Sequence, residues 1–211
     1  MAHILMVAQQ KGGAGKTTLA AHLAVALAAN RRAVALIDAD PQGSLSAWIE
    51  ARRQTDAPWP LDFHPAPGWR AGGAVPRLAR GADVVIIDSP PRAEAGLRGP
   101  LREADLVLIP MQLSPMDIWA ARATLDMVAE ENKPALIVPN RVPARSRLAD
   151  QLRREMADQA LPVAQTSLGN RVAFAASLAR GLGVSEATPS SLAAGEIAAL
   201  AGEVLHMLDA A

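Results

Sequence analysis

An apolar run, His3-Ile4-Leu5-Met6-Val7, leads into Gln10-Lys11-Gly12-Gly13-Ala14-Gly15-Lys16-Thr17-Thr18, and a helical pattern follows from Lys16 to Asn30. A strand, a glycine-rich turn and a Lys-Thr pair opening a helix form the arrangement that cradles phosphates. Backbone N–H groups from Gly12 through Gly13, Ala14 and Gly15 to Lys16 are expected to wrap the phosphate oxygens, helped by the positive end of the helix. Glycine is required where the backbone must approach oxygen closely with unusual dihedrals. Lys16 is placed to reach the β- and γ-phosphates of ATP. The Thr17 hydroxyl is placed to join a Mg2+ shell, and Thr18 completes the loop.

The loop also fixes the fold class, because a strand feeding a helix through a tight turn is the first unit of a parallel sheet. Residues 33–38, 83–88, 105–110 and 135–139 repeat the short apolar run, mostly without polar alternation, as strands buried on both faces do. Helical patterns cover Pro115–Glu131, Ser146–Gln159 and Ser190–Leu208, the first of these opened by Ser114-Pro115, a cap followed by a first-turn proline. The expectation is a single α/β domain over residues 1–211, with a doubly wound, mostly parallel sheet flanked by helices. Arg52–Arg80 carries five prolines and is expected to be an irregular surface excursion with one short strand near Leu61–His64.

Composition narrows the chemistry. Lys+Arg and Asp+Glu balance at 21 each, so a nucleic-acid or membrane contact must use a local patch. The absence of cysteine excludes disulfides, cysteine–zinc sites and thiolate-held iron–sulfur clusters, and it fits a reducing, cytoplasmic setting. No apolar stretch reaches the roughly 18 residues a membrane span needs. Lysine occurs only as Lys11, Lys16 and Lys133, so two of three stand in one nine-residue loop. That placement implies that both are wanted as compact cations at phosphate.

Acidic residues close other strands. The run 33–37 ends in Asp38-Ala39-Asp40-Pro41-Gln42-Gly43, and Val84–Ile87 ends in Asp88-Ser89-Pro90-Pro91. Open α/β sheets bind their ligands at these carboxyl ends. Asp88 is expected to hold Mg2+, and Asp38 to organise the ion or the loop. Prolines after Asp88 stiffen a segment suited to reporting the γ-phosphate. Asp117 is expected to cap its own helix, or alternatively to touch a partner subunit.

The loop departs from the ordinary phosphate-binding pattern, which needs glycine where this chain has Gln10. The run Lys11–Thr18 instead resembles the deviant Walker A motif of the ParA/MinD family of ATPases. Asp38–Gly43 and Asp88–Pro91 resemble two further segments of that family, and Leu106–Pro110 with Ser114–Asp117 resembles its ParA branch. The resemblance implies that Lys11 reaches across a nucleotide-sandwich homodimer to the partner's ATP. It implies that Asp40 orients the attacking water and that Asn140 reads the adenine edge.

Within the family, iron–sulfur relatives need cysteines, and the MinD branch ends in a basic membrane helix. This chain has no Lys or Arg after Arg180, and no room is left before the first strand for a helix-turn-helix domain. The chain is thus similar to the small ParA-type ATPases, including ParF and the McdA positioning group. By that likeness it is nucleoid-associated, coats DNA nonspecifically and meets a ParB-like or cargo-adaptor protein that stimulates slow ATP hydrolysis, without a membrane partner. Arg141, Arg145, Arg147 and Arg171 are the candidate phosphate contacts on DNA. The alternatives are a MinD-like membrane-associated division-site regulator and a dethiobiotin-synthetase-like metabolic enzyme.

Overall fold

The computed structural model describes residues 2–68, 70–91 and 98–210. Six strands form one sheet: β1 (His3–Val7), β2 (Val34–Asp38), β3 (Asp62–Pro65), β4 (Val84–Asp88), β5 (Leu106–Met111) and β6 (Ala135–Pro139). Their order is β3-β2-β4-β1-β5-β6, and every pairing is parallel. Apart from the edge strand β3, alternate residues of each strand enter two separate cores. Leu5, Val7, Leu36, Ile86 and Leu108 face one way, while Met6, Ile37, Ile87 and Ile109 face the other. This double burial is why the strands read as continuous apolar runs.

The first core is covered by α1 (Lys16–Ala29), α2 (Ser44–Arg52), α7 (Val172–Leu178), α8 (Val184–Ala187) and α9 (Leu192–Asp209). The second is covered by α3 (Arg70–Leu78), α4 (Arg98–Glu103), α5 (Pro115–Glu130) and α6 (Arg147–Asp158). Helix α1 is buried almost all round, because α8 and α9 close its outer side. An Ala- and Leu-rich helix with no polar face belongs in such a position.

The short strand expected near Leu61–His64 is present one residue later, as the sheet edge β3. The irregular excursion around it is not wholly irregular. Its second half folds as α3, which buries Ala71, Ala74, Val75 and Leu78 at helical spacing despite Pro76 within it. Gly72 is needed there, since a Cβ would lie 3.1–3.3 Å from the Gly99–Pro100 backbone of α4.

His22 ties α1 to the α7–α8 segment. Its Nδ1 accepts from Val184 N at 3.1 Å, which leaves Nε2–H to donate to Phe174 O at 3.1 Å. Burial lowers its pKa from 6.5 to about 4, while the bond to Phe174 pulls the other way. A histidine with a depressed folded pKa contributes full stability above about pH 6.5 and loses it as pH falls towards about 4. The loss is about 3 kcal/mol across that window. Asp88, displaced upward, acts with the opposite sign over an overlapping range, so the comparison that isolates His22 is wild type against His22→Asn. Denaturant midpoints between pH 7 and pH 4 are expected to fall more steeply for wild type than for the variant.

Candidate nucleotide site

The phosphate loop leaves β1 and opens α1. Gly13 and Gly15 take left-handed φ values of 77° and 93°, so the glycines supply backbone that other residues adopt only with strain. Gly15 has a second reason to lack a side chain, since a Cβ would come within 2.5 Å of Asn140 Nδ2.

The first half of the loop is stapled to α5. Thr124 Oγ1 donates to Gln9 Oε1 at 3.0 Å and accepts from Gln10 N at 3.3 Å, while Gln10 Nε2 donates to Ala123 O. Lys11 Nζ lies 2.8 Å from Asp117 Oδ1, with the lysine side chain 43% exposed and the aspartate buried. Asp117 N also donates to the Ser114 hydroxyl, which caps α5. The cap of α5 is thus Ser114 and not Asp117, whose carboxylate accepts from the Ser114 hydroxyl and also holds Lys11. The sequence offered no signal for that ion pair beyond an acid in a first turn.

Lys16 and Asp88 are both buried. Burial lowers the Lys16 ammonium from its ordinary value, against the pull of the nearby Asp88 and Asp40 carboxylates. Asp88 and Asp38 stand side by side in register on β4 and β2, and Val7 of β1 shares their row. Burial pushes the Asp88 carboxyl up to about 7, partly offset by the Thr17 hydroxyl, which donates to Oδ2 at 2.6 Å. Its other oxygen, Oδ1, is buried without a partner.

Four buried side-chain polar atoms lack partners among the described residues: Gln9 Nε2, Trp48 Nε1, Asp88 Oδ1 and Ser89 Oγ. Gln9 immediately precedes the loop, Asp88 and Ser89 follow β4, and Trp48 lines the cavity beside the loop. Buried polar atoms normally find partners, so this concentration of orphans marks a place built for a polar ligand. A carboxylate oxygen with no donor, next to a threonine hydroxyl, suits Mg2+, which uses one or two protein oxygens and takes the rest from phosphates and water. No cluster of three His, Cys, Asp or Glu suited to a metal occurs among the described residues. An ion here is thus expected to be shared with the nucleotide and not caged by protein.

Asp38 is otherwise engaged. Its Oδ2 accepts from Ser46 N at 2.8 Å and Ser46 Oγ at 2.6 Å, and its Oδ1 accepts from Asp40 N. It organises the turn that enters α2, with no bond to the phosphate loop among the hydrogen bonds described. Asp40 borders the cavity, and its Oδ1 accepts from Gln42 N at 2.9 Å. Asn140 donates through Nδ2 to Ala14 O at 2.9 Å and accepts through Oδ1 from Arg141 N. Asn140 thus braces the phosphate loop, with one N–H and one acceptor lone pair of its amide beyond these two bonds.

The four arginines considered for DNA are differently engaged. The Arg141 guanidinium reaches Gly13 O at 3.4 Å and lines the cavity. Arg171 is clamped by Glu196, Nε at 2.9–3.0 Å and Nη2 at 2.5 Å, which raises its pKa and neutralises its charge locally. Arg145 and Arg147 are exposed, as is Arg154 on α6. The cavity itself holds about 610 Å3 between Gly12, Gly13, Gly15–Thr18, Asp40, Ser44 and Pro91 and the ends of α2 and α7. That is within the range of small-molecule sites.

The pattern of the CobQ/CobB/MinD/ParA nucleotide binding domain matches residues 5–184. The chain belongs to that family. It is 32% identical over 192 residues to the maintenance of carboxysome distribution protein A of Halothiobacillus neapolitanus, covering 87% of each chain. It is 36% identical over 135 residues to the chromosome-partitioning ATPase Soj of Thermus thermophilus, covering 59% of this chain and 52% of that protein. Among solved structures it resembles apo McdA of Cyanothece, with TM-score 0.78 and 22% identity over 97% of this chain and all of that one. It also resembles the septum site-determining protein MinD of Pyrococcus horikoshii, solved with Mg-ADP, with TM-score 0.81 and 18% identity over 97% and 96% of the two chains. The six-stranded parallel sheet flanked by helices is the fold of this family.

Proposed function

We propose that this chain is a ParA-type ATPase that dimerises on ATP, binds DNA nonspecifically and positions or partitions a cargo, with a cargo-bound adaptor stimulating slow hydrolysis. The observation that carries the reading is Lys11, a second loop lysine held at the outer lip of the loop, exposed, and tethered to the buried Asp117. Released from Asp117, this ammonium meets phosphates presented by a second copy, where it offsets the charge that develops in phosphoryl transfer.

In this reading Gly12–Lys16 hold the phosphates by backbone N–H groups, and Lys16 neutralises the β- and γ-oxygens. Thr17 and Asp88 hold Mg2+, whose chemistry when bound is charge neutralisation across those same oxygens. Asp40 accepts the proton side of the attacking water and orients it towards the γ-phosphorus. Thr17 and Asp88, joined through a 2.6 Å hydrogen bond, would hold the ion between them, and the Ser89-Pro90-Pro91 segment follows Asp88 directly.

A membrane-bound reading is disfavoured by α9. Its apolar stripe, Ala194, Ile197, Leu200, Ala201, Val204 and Leu208, is buried in the core against α1 and is not free for lipid. No helix of the described residues is long and apolar enough to cross a membrane. For DNA, the exposed Arg145, Arg147 and Arg154 are the candidates that remain, pooled over two subunits.

Binding to a random-sequence duplex tests the proposal, measured with ATP, with ADP and without nucleotide across a salt series. Binding with ATP alone, weakening steeply as salt rises, is the expected outcome. A confirmed ATP dimer that binds no duplex at low salt would remove DNA as the surface on which the protein works.

A further inference from the structure

Of the four unpartnered buried atoms, Asp88 Oδ1 and Trp48 Nε1 lie with the magnesium row and the cavity, and Gln9 Nε2 and Ser89 Oγ do not. Ile87 enters the second core and Asp88 turns the other way, so the two-residue period of a strand returns Ser89 to the second-core side. Gln9 turns the same way, since its amide meets Thr124 of α5, a helix packed on that core. Strands β1 and β4 are neighbours with Val7 opposite Asp88, and Ser89 N donates to Val7 O at 3.2 Å. Gln9 and Ser89 therefore leave the sheet beside each other, 2% and 0% exposed.

The Gln9 amide is engaged at one end only. Its Oε1 accepts from Thr124 Oγ1 at 3.0 Å and from Lys11 N at 3.4 Å, so this end ties the backbone of Lys11 to α5. Its Nε2 can only donate and has no acceptor, while Ser89 Oγ can donate or accept and does neither. An unpaired buried polar group costs more than a made bond gains, and folded chains rarely keep two of them in one place. The magnesium row lies on the other face of β4, so an ion held there leaves both atoms unsatisfied. A donor and an acceptor on adjacent strand exits are complementary to each other.

We propose that Gln9 Nε2 donates to Ser89 Oγ in the ATP-bound dimer, which makes Gln9 a positioning residue between the segment after Asp88 and Lys11. The inference rests on the dimer reading above and adds the route by which a ligand at Asp88 is felt at the outer lip of the loop. Asp88 meets the ion on one face of β4, and the next residue, Ser89, carries its position to the other face. Gln9 takes that position up at Nε2 and passes it to Lys11 N through Oε1. A planar amide bonded at both ends holds Lys11 N in one place. Bonded at one end, it leaves the loop entry freer to turn.

Ser89→Ala tests the pair on the full chain, because it removes one unpartnered hydroxyl. Without nucleotide its denaturant midpoint is expected to equal or exceed that of wild type, and its Mg-ADP affinity by titration calorimetry to stay within about twofold. Sedimentation velocity over a concentration series is expected to show an Mg-ATP dimer at least about tenfold weaker than that of wild type. Ser89→Thr keeps the hydroxyl and is expected to restore the dimer to within about threefold. Gln9→Met is expected to weaken the dimer at least as much as Ser89→Ala, and adding Ser89→Ala to it to cost no more than about twofold further. Three results would overturn the pair alone: a Ser89→Ala dimer as tight as that of wild type, losses that multiply in the double variant, or a Ser89→Ala midpoint already lowered without nucleotide. The last would mean that the hydroxyl is bonded whether or not ATP is present. A wild type that binds Mg-ATP and stays monomeric would overturn the dimer reading and the pair with it.

Discussion

Lys16→Ala is expected to lose Mg-ATP binding by at least about a hundredfold. The reason is that Lys16 is a buried cation, held beside Asp88 and Asp40 at the start of α1, where triphosphate charge must be accommodated. Truncating one partner of a buried charge pair costs about 2–5 kcal/mol, most of it from leaving the other charge unpaired. The backbone N–H groups of the loop remain in the variant, so the fold and a weak residual affinity are expected to survive. Titration calorimetry with circular dichroism as a control measures this. Wild-type affinity in a folded variant would mean that the phosphates do not lie in this loop.

Asp40→Ala is expected to lower single-turnover hydrolysis by about a hundredfold or more, in line with losing a positioned general base. ATP affinity should change far less, because the carboxylate faces the site from beyond β2 and takes no part in the phosphate cradle. The ATP-bound dimer should consequently outlive the experiment. Asp40 also accepts from Gln42 N and so shapes its own turn. Asp40→Asn separates the two roles, since it can keep the turn and cannot accept the proton. Equal hydrolysis by wild type and Asp40→Asn would leave Asp40 only a turn residue.

The parts of the molecule that could be read in advance are those where one physical rule dominates. The five apolar runs became five strands within a residue or two, since double burial leaves no polar alternation to confuse them. Loop glycines at Gly13 and Gly15 have the positive φ that their spacing implied. Helix α3 was hidden because Gly72, Gly73 and Pro76 argue locally against a helix, whereas packing on α4 and the second core decides for one. Partnerships over long sequence distances left no trace either. Nothing near Arg171 announces Glu196, nothing near Lys11 announces Asp117, and the bond from Asn140 to Ala14 spans 126 residues. A charge or an amide read in sequence is an offer of a contact, and only the fold shows whether that contact is already filled within the chain.

Lys11 acts between two copies in the proposed function. Sedimentation velocity of wild type and Lys11→Ala, each with Mg-ATP, with Mg-ADP and without nucleotide, tests it most directly. Wild type is expected to form a dimer with ATP alone, and Lys11→Ala to bind ATP yet stay monomeric. A Lys11→Ala protein that dimerises with ATP as wild type does, or a wild type that ignores the nucleotide while binding it, would contradict the account.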